Sequence, residues 1–317
     1  MTDHAIGAFC AACQTPLRGR YCHACGQDTH AKPMPLRQMA VEVATSYSPI
    51  DGKMARTLAV LLTRPGRLLE AYRAGAGTLY VTPLKLFVAT TALFLAVMNF
   101  SGTTLYQSTW RALPGQTPVA VHDPVADLVT VEGADYRERW LQPKVDNPVD
   151  PAIGEALILA ETRATDPTAK AAFRLERTSL RTEALMNQRL SAWLPNVIWL
   201  LMPLYAVGLM FLFGRRRLFL EHVIFAMWAH AVAFVLMMAV ATANGRGLGL
   251  PALAIVPPYL AYFTLAAARY YDRSLWSALW RGIVHLAGYA LLVLLPVAFA
   301  VYMTGVDWRA FGEWMLA

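Results

Sequence analysis

Long apolar stretches are the feature of this sequence that most restricts what it can fold into. Five of them are long enough to cross a hydrocarbon layer of about 30 Å, which takes roughly 20 helical residues. They lie near residues 82–100, 192–213, 218–242, 251–270 and 282–303. The fourth contains Pro257-Pro258, which a membrane helix tolerates when neighbouring groups satisfy the freed carbonyls. The sequence therefore predicts a five-span transmembrane helical bundle.

The composition agrees with a membrane protein. Hydrophobic residues make up 56% of the 317 residues and charged residues 15%, whereas soluble domains are about 45–50% apolar and about 25% charged. The mean hydropathy is +0.39. A net charge of +7 is compatible with nucleic-acid binding or with basic residues that flank membrane spans on their cytosolic side. The positions of the basic residues favour the second interpretation.

The basic residues cluster on one side of the predicted spans. The N-terminal side and the turns after spans two and four carry Lys53, Arg56, Arg64, Arg67, Arg73, Lys85, Arg215, Arg216, Arg217, Arg269, Arg273 and Arg281. The opposite short segments carry Arg246 and Arg309. The positive-inside rule therefore predicts a cytosolic N-terminus and an outer C-terminus. The first span is expected to direct insertion, because the first 78 residues contain no signal-peptide pattern.

The segments outside the spans differ in composition. The predicted organisation is a zinc ribbon at 1–30, basic interfacial helices at 31–81, span one at 82–100, an extracytoplasmic region at 101–191, and spans two to five with the C-terminal tail at 192–317. The helices at 31–81 could lie on an anionic bilayer or pack under the other helices. The polar excursion is expected to be irregular with short strands in its first half. Its second half is expected to be helical from Asp166-Pro167, an N-cap followed by a first-turn proline.

All four cysteines lie in one short motif, Cys10-x2-Cys13-x8-Cys22-x2-Cys25. Each Cys-x2-Cys half can direct two thiolates at one ion, and two halves complete the tetrahedron of a structural zinc site. The segment is too short to bury a core, so a metal or a crosslink must stabilise it. Zinc is the predicted cofactor. Two disulfides or a redox pair are alternatives, which a reducing cytosol and the lack of a βαβ pattern disfavour.

Two stretches also resemble a bacterial family of uncharacterised multi-pass membrane proteins, a domain of unknown function that begins with a double-CxxC zinc ribbon. They are CAACQTPLRGRYCHACGQ, residues 10–27, and DGKMARTLAVLLTRPGRLLEAYRAGAGTLYVTPLKLF, residues 51–87. The stretch Glu221-His222-Val223-Ile224-Phe225 resembles that family's Glu-His-x-[Val/Ile]-Phe signature. Gln14 stands where the family usually has glycine, and Trp228 where a further histidine is expected. The resemblance implies this fold and an inner-membrane location, and it implies no activity.

Four ionisable residues within the predicted spans form a second candidate site. Glu221 and His222 begin span three, and His285 lies at a similar depth in span five. His230 is deeper, about 12 Å further along the helix at 1.5 Å per residue. Ionisable groups in spans are costly and often functional. The alternative is that Glu221 and His222 pair with Arg215–Arg217 in the headgroup region, and that His230 bonds a neighbouring helix.

Several functions are compatible with these features. The favoured hypothesis is a membrane-anchored adaptor or regulator whose ribbon binds a cytosolic protein partner. A transporter or channel subunit and a membrane enzyme, each using Glu221, His222 and His285, are the alternatives. No nucleophile elbow, phosphate loop or zinc-protease motif is present, so an enzyme is disfavoured. Nucleic acid is disfavoured as a partner because the small basic patch near the ribbon, Arg18, Arg20 and Lys32, lacks an aromatic platform beyond Tyr21.

Overall fold

The computed structural model describes residues 9–45, 52–75, 77, 79–214, 217–304 and 308–315. Its helices are α1 Leu36–Thr45, α2 Gly52–Thr63, α3 Arg67–Arg73, α4 Pro83–Phe100, α5 Pro151–Arg163, α6 Pro167–Leu200, α7 Met202–Phe213, α8 Phe219–Gly245, α9 Val256–Tyr270, α10 Leu275–Tyr289, α11 Leu295–Met303 and α12 Trp308–Met315. Its strands are β1 Thr103–Ala112, β2 Val119–Asp123, β3 Leu128–Glu132 and β4 Ala134–Pro143. The chain is mostly helical, as predicted.

The chain divides into two compact units. The first unit comprises Met1–Val97, Trp199–Val240 and Ala252–Val293. The second unit comprises Met98–Ile198, Ala241–Pro251 and Leu294–Ala317. The cysteines and the four predicted intramembrane residues belong to the first unit, and the strands belong to the second.

Four helices of the described chain are long and apolar enough to cross a membrane. They are Pro83–Phe100, Phe219–Gly245, Ala252–Tyr270 and Leu275–Val301. In Phe219–Gly245, 67% of the most apolar window is buried within the chain, whereas in Leu275–Val301 the share is 6%. The apolar residues of Leu275–Val301 are therefore mostly exposed, whereas those of Phe219–Gly245 are mostly covered by protein. Exposed apolar surface of this extent is expected of a helix that contacts lipid.

The predicted second span, 192–213, is not one continuous helix. It is divided between the end of α6 and the short α7, with Leu201 as a turn residue between them. Pro203 explains the break, because its ring removes an amide donor and clashes with the carbonyl four residues earlier in a continuous helix. Five spans are therefore not confirmed. Arg215 and Arg216, predicted to lie in the turn before span three, are outside the described residues, as is Asp51 of the resembling stretch.

The ends of the last two predicted spans also differ from expectation. Pro257-Pro258 lies in the first turn of α9, after a 3-10 turn at Ala252–Ile255, so it begins the helix rather than interrupting it. The last helix begins at Leu275, where the hydroxyl of Ser274 accepts a hydrogen bond from the Ser277 amide. It continues through a π-helical turn, Ala290–Leu294, into α11.

The second unit contains two β-hairpins where irregular backbone with short strands was expected. Strands β1 and β4 pair antiparallel along their full ten residues, from Thr103 opposite Pro143 to Ala112 opposite Ala134. Two aromatic pairs lie directly across this hairpin: Tyr106 packs on Trp140 and Trp110 on Tyr136, with ring centroids 4.6 and 5.0 Å apart. Cross-strand aromatic pairs of this kind stabilise a hairpin. Strands β2 and β3 form the second hairpin.

Two helices that begin in the same way complete the second unit. The Asp150 carboxylate accepts a hydrogen bond from the Ala152 amide at the start of α5. The Asp166 carboxylate accepts one from the Ala169 amide at the start of α6. Each aspartate is followed by a first-turn proline, the arrangement predicted from sequence for α6. The apolar core between the helices comprises Ile153, Leu157, Phe173 and Leu180.

Candidate metal centre

Two equivalent backbone turns hold the four cysteines. In the first, the Cys10 amide donates to the Thr15 carbonyl at 2.8 Å and the Gln14 amide to the Cys10 carbonyl at 2.9 Å. In the second, the Cys22 amide donates to the Gln27 carbonyl at 2.9 Å and the Gly26 amide to the Cys22 carbonyl at 2.8 Å. The same pattern repeats twelve residues later. Each half therefore presents its two thiols from one turn.

The residue after each cysteine pair adopts a left-handed backbone. Its φ is +73° at Gly26 and +66° at Gln14. Glycine adopts this region freely, whereas a residue with a Cβ pays about 1–2 kcal/mol. The first turn therefore carries strain that the second turn avoids. This strain falls where Gln14 departs from the glycine of the resembling family.

The four sulfur atoms converge on one point. Cys10 Sγ lies 3.6 Å from Cys25 Sγ, and Cys13 Sγ lies 3.5 Å from Cys22 Sγ. All four lie within 4.8 Å of one another. A tetrahedral ion with metal–sulfur bonds of about 2.3 Å requires sulfur–sulfur distances of about 3.8 Å. All four cysteines are free, and the gaps are far longer than a disulfide bond of about 2.05 Å. The predicted cysteine cluster could thus hold a metal ion.

The thiols differ in acidity. The Thr15 hydroxyl, 3.2 Å from Cys13 Sγ, stabilises the thiolate and lowers the pKa of Cys13 to about 6. Burial raises the pKa of Cys25 to about 12, and burial also raises the pKa of Cys10. A metal must therefore displace protons from the buried thiols, because the thiolate is the ligand.

The ribbon is hydrogen-bonded to the segment of chain that follows it. Arg67 Nη2 of α3 donates to the carbonyl of Ala11 at 2.6 Å, and the Tyr80 hydroxyl donates to the carbonyl of Ala12 at 3.2 Å. Both carbonyls belong to the first cysteine turn. The Gln14 amide group also faces Arg67. Two side chains from the segment that leads into α4 therefore fix the metal-binding turn.

A second set of contacts holds the other turn. Gln27 is buried, and its Nε2 donates to the Gly75 carbonyl at 2.9 Å. A Cβ at Gly75 would lie 2.1 Å from the carbonyl oxygen of Ala31, and the φ of Gly75 is +70°. Only glycine fits this approach. Ala71 of α3 packs against the buried Cys10 and Cys22, so cysteine side chains and α3 share one apolar cluster.

The ribbon carries two exposed aromatic side chains. Phe9 and Tyr21 are 63% and 59% exposed, and each precedes the first cysteine of its turn. Arg20 lies over the Tyr21 ring at 5.3 Å and forms an ion pair with Asp28 at 3.0 Å. Exposed aromatic residues beside an arginine are typical of protein-binding surfaces.

Glu221 and His222, the first two predicted intramembrane residues, contact side chains at one end of the helices. Glu221 lies 3.7 Å from Arg73 of α3. The His222 ring is buried, its Nδ1 lies 2.9 Å from the Tyr271 hydroxyl, and the two rings stack. Glu221 is therefore near Arg73, which was not among its predicted partners. Of those, Arg217 pairs with Asp272 at 2.9 Å, and Arg215 and Arg216 lie outside the described residues.

His230 and His285 are buried around a different tyrosine. His230 Nδ1 lies 2.8 Å from the Ala226 carbonyl of its own helix. The ring of Tyr205 lies 4.9 Å from that of His230 and 4.2 Å from that of His285, centroid to centroid. A Cβ at Gly208 would lie 2.8 Å from His285 Cε1, so this imidazole packs on the backbone of α7. Among the described residues, the four cysteines are the one group of three or more histidine, cysteine, aspartate or glutamate side chains that lie close enough to share a metal ion.

Sequence reasoning found the cysteines and missed the residues that hold them. Arg67, Tyr80 and Gln27 hold the ribbon, and Tyr205 packs on His230 and His285, yet no sequence motif assigns any of them this role. The contacts of Arg67 and Tyr80 span 56 and 68 positions along the chain, so no local pattern reports them. Gly75 is the one of these positions with a local signal, because glycine readily adopts a positive φ such as the +70° found here.

The comparisons with known proteins reach part of this region. Residues 51–95 match the family described as "Protein of unknown function (DUF3667)". The match covers α2, α3 and most of α4, which include Arg67 and Tyr80 and agree with the resemblance in residues 51–87. No curated protein matches the chain, and no solved structure matches it. These residues are thus similar to an uncharacterised family.

Proposed function

We propose that this chain is a multi-pass membrane protein whose zinc-bound cytosolic ribbon acts as an adaptor or regulator, binding a cytosolic protein. One observation carries the proposal. The ribbon is hydrogen-bonded to α3 and to the segment entering α4, while Phe9 and Tyr21 remain exposed. A ribbon fixed in this way holds a bound partner at a set position beside the first span.

Zinc is the metal that this donor set fits best. Four thiolates in two tight turns are the donor set of closed structural zinc sites, which leave no position for substrate. Cys10 and Cys22 are buried against Ala71. The metal would supply the folding energy that a segment of this size lacks, about 10–16 kcal/mol in small zinc peptides. The role proposed for zinc is therefore structural.

We propose five spans, with the N-terminus in the cytosol and the C-terminus outside, in the inner membrane. The apolar helices that could cross a membrane support four of them. The fifth would combine the end of α6 with α7, bending at Leu201. Membrane helices accept such a break when neighbours satisfy the freed groups. The clustering of arginine and lysine supports the orientation, and reporter fusions after Gly214 and at Ala317 should report opposite sides.

Site-specific photo-crosslinking tests the adaptor role. A benzophenone amino acid placed at Phe9 or at Tyr21 in the full-length protein should capture the same cytosolic protein in cells. The matched control is Val41 of α1, an exposed apolar residue in the same unit. The Cys22→Ser/Cys25→Ser variant should lose the captured protein. Equal capture from Val41, or capture unchanged in the cysteine variant, would contradict the proposal.

A transporter or channel subunit, or a membrane enzyme, is the second candidate, and one observation favours it. His222 Nε2 and His285 Nε2 are buried, and neither has a hydrogen-bond partner in the described chain. Buried polar atoms without partners are costly, and ions, waters or substrates often satisfy them. His222→Ala and His285→Ala should each abolish a cellular phenotype without changing membrane insertion if these residues act on a transported or converted species. Normal phenotype in both variants would exclude this candidate.

A further inference from the structure

The second unit contains a cavity whose lining is unlike the apolar contacts elsewhere in that unit. The cavity has a volume of about 290 Å³ and lies between the β1–β4 hairpin and α6. Its volume is near the lower end of the range for small-molecule sites, about 300–1,000 Å³. The exposed Ser179 is part of the lining, so solvent reaches the cavity from the α6 side.

A polar network, rather than apolar packing, joins the hairpin to α6 at this place. Glu183 accepts hydrogen bonds from the Ser108 hydroxyl and, at 2.8 Å, from Trp110 Nε1. Asn187 holds the backbone of Ser108 on both sides, accepting from its amide at 2.8 Å and donating to its carbonyl at 2.9 Å. These bonds fix the wall of the cavity, as a preformed binding site requires.

The cavity is lined by acidic side chains and by no basic ones. The acidic residues are Glu176 and Glu183. The two arginines that flank Glu176 along α6, Arg174 and Arg177, form ion pairs with Glu161 of α5 at 3.1 Å each. Among the described residues no hydrogen bond or ion pair engages the Glu176 carboxylate. These two arginines thus pair with α5 and not with the carboxyl groups at the cavity.

Burial makes this arrangement costly. Burial raises the pKa of Glu176, and the nearby charge of Glu183 raises it further. Burial also raises the pKa of Glu183, against the two hydrogen bonds that lower it. A bound cation would offset this cost, because opposite charges stabilise the ionised form.

Three aromatic residues also line the cavity, beside the aliphatic Leu175, Leu180, Met186 and Leu190. They are Tyr106, Trp110 and Tyr136, and aromatic rings attract organic cations. We propose that the cavity binds a small organic ammonium ion, with the aromatic rings as walls and the carboxylates of Glu176 and Glu183 as counter-charges. A metal ion would not need the aromatic walls, and a neutral ligand would not need two carboxylates.

Calorimetry on the full-length protein in detergent, with choline chloride as the probe, tests this assignment. The uncharged isostere 3,3-dimethylbutan-1-ol, in which carbon replaces nitrogen, is the ligand control. Choline should bind about tenfold or more tightly than the isostere, since charge and ring contacts both favour the cation. Equal affinity of the two compounds, or no heat with choline, would overturn the proposal. Binding of glucose in place of choline would indicate a neutral polyhydroxyl ligand and would overturn it as well.

Two variants make the test specific to the cavity. Glu176→Gln keeps the shape of the side chain and should weaken choline binding about tenfold. Glu155→Gln makes the same charge change on an exposed position of α5 and should leave binding unchanged. Thermal unfolding should show that both variants fold, with Glu176→Gln unfolding no earlier than the unsubstituted protein because it removes a buried carboxylate. Equal choline affinity in the two variants would contradict the role of Glu176.

Discussion

Replacing Gly75 with alanine should release the ribbon from the helices that follow it. A Cβ at this position would lie 2.1 Å from the carbonyl oxygen and 2.6 Å from the carbonyl carbon of Ala31. Real Cβ atoms essentially never approach other atoms this closely, so Ala31 and its neighbours must move by about 1 Å. The Gly75 carbonyl that accepts from Gln27 would move with them.

The free-energy cost of Gly75→Ala combines two unfavourable contributions and one that offsets them. An alanine at a φ of +70° costs about 1–2 kcal/mol. Loss of the Gln27 hydrogen bond adds about 1 kcal/mol. Alanine also restricts the unfolded chain more than glycine does, which offsets the cost by about 0.4–1 kcal/mol. The net effect is about 2 kcal/mol, so the ratio of docked to undocked ribbon should fall roughly 30-fold.

Hydrogen–deuterium exchange of the full-length protein measures this ratio. Amides in residues 9–31 should exchange faster in Gly75→Ala, and the zinc content should remain, because the substitution lies outside the cysteine turns. Gly77→Ala is the control, since a Cβ there would have no neighbour within 4 Å. Unchanged exchange in Gly75→Ala, or equal acceleration in Gly77→Ala, would refute the docking described above.

Three further predictions concern the metal site and the second unit. Gln14→Gly should strengthen metal binding several-fold because it relieves the strained turn, and Gly26→Gln should weaken binding by a similar factor. Chelator competition measures both affinities, and equal affinities in the two variants would show that backbone strain does not influence metal binding. Metal affinity should fall as the pH falls, because the raised pKa values of Cys10 and Cys25 mean that binding releases protons; competition titrations at pH 6, 7 and 8 with a pH-independent result would contradict this. Asp166→Ala should remove the cap of α6 at a cost of about 1 kcal/mol, seen as a lower unfolding temperature, and an unchanged temperature would show that the cap contributes little.

The cysteine cluster was predictable because its constraint is local. Two Cys-x2-Cys pairs at this spacing indicate a shared ion whatever surrounds them, and the structure brings all four sulfurs together. The attachment of the ribbon was not predictable in this way. Arg67 and Tyr80 are ordinary residues in sequence, and their partners are carbonyls of Ala11 and Ala12 that carry no side-chain signal.

The helices show the same division between local and long-range information. Hydropathy located the apolar helices, but their ends depended on individual residues. Pro203 ends a helical run that hydropathy treats as continuous. The polar and aromatic first turns of α10 hid its start at Leu275, although Ser274 was an available N-cap signal. Asp150-Pro151 likewise marked α5 with the pattern already recognised at Asp166-Pro167.

The hairpins of the second unit were under-predicted for a related reason. Tyr106, Trp110, Tyr136 and Trp140 were visible as aromatic residues, yet their pairing depends on a register that closes over more than twenty intervening residues. Cross-strand contacts stabilise such a hairpin only once it has formed. The cavity beside it depends on the same pairing, so neither its volume nor its lining could be derived from the sequence.

Native mass spectrometry of the full-length protein released from detergent tests the central claim most directly. The account predicts one zinc ion per chain, and it predicts that the Cys22→Ser/Cys25→Ser variant carries none. Thiol titration before and after denaturation of the unsubstituted protein should show thiols that react only once the metal is removed. A metal-free mass with four readily titratable thiols, or with two disulfides, would contradict a zinc-bound ribbon.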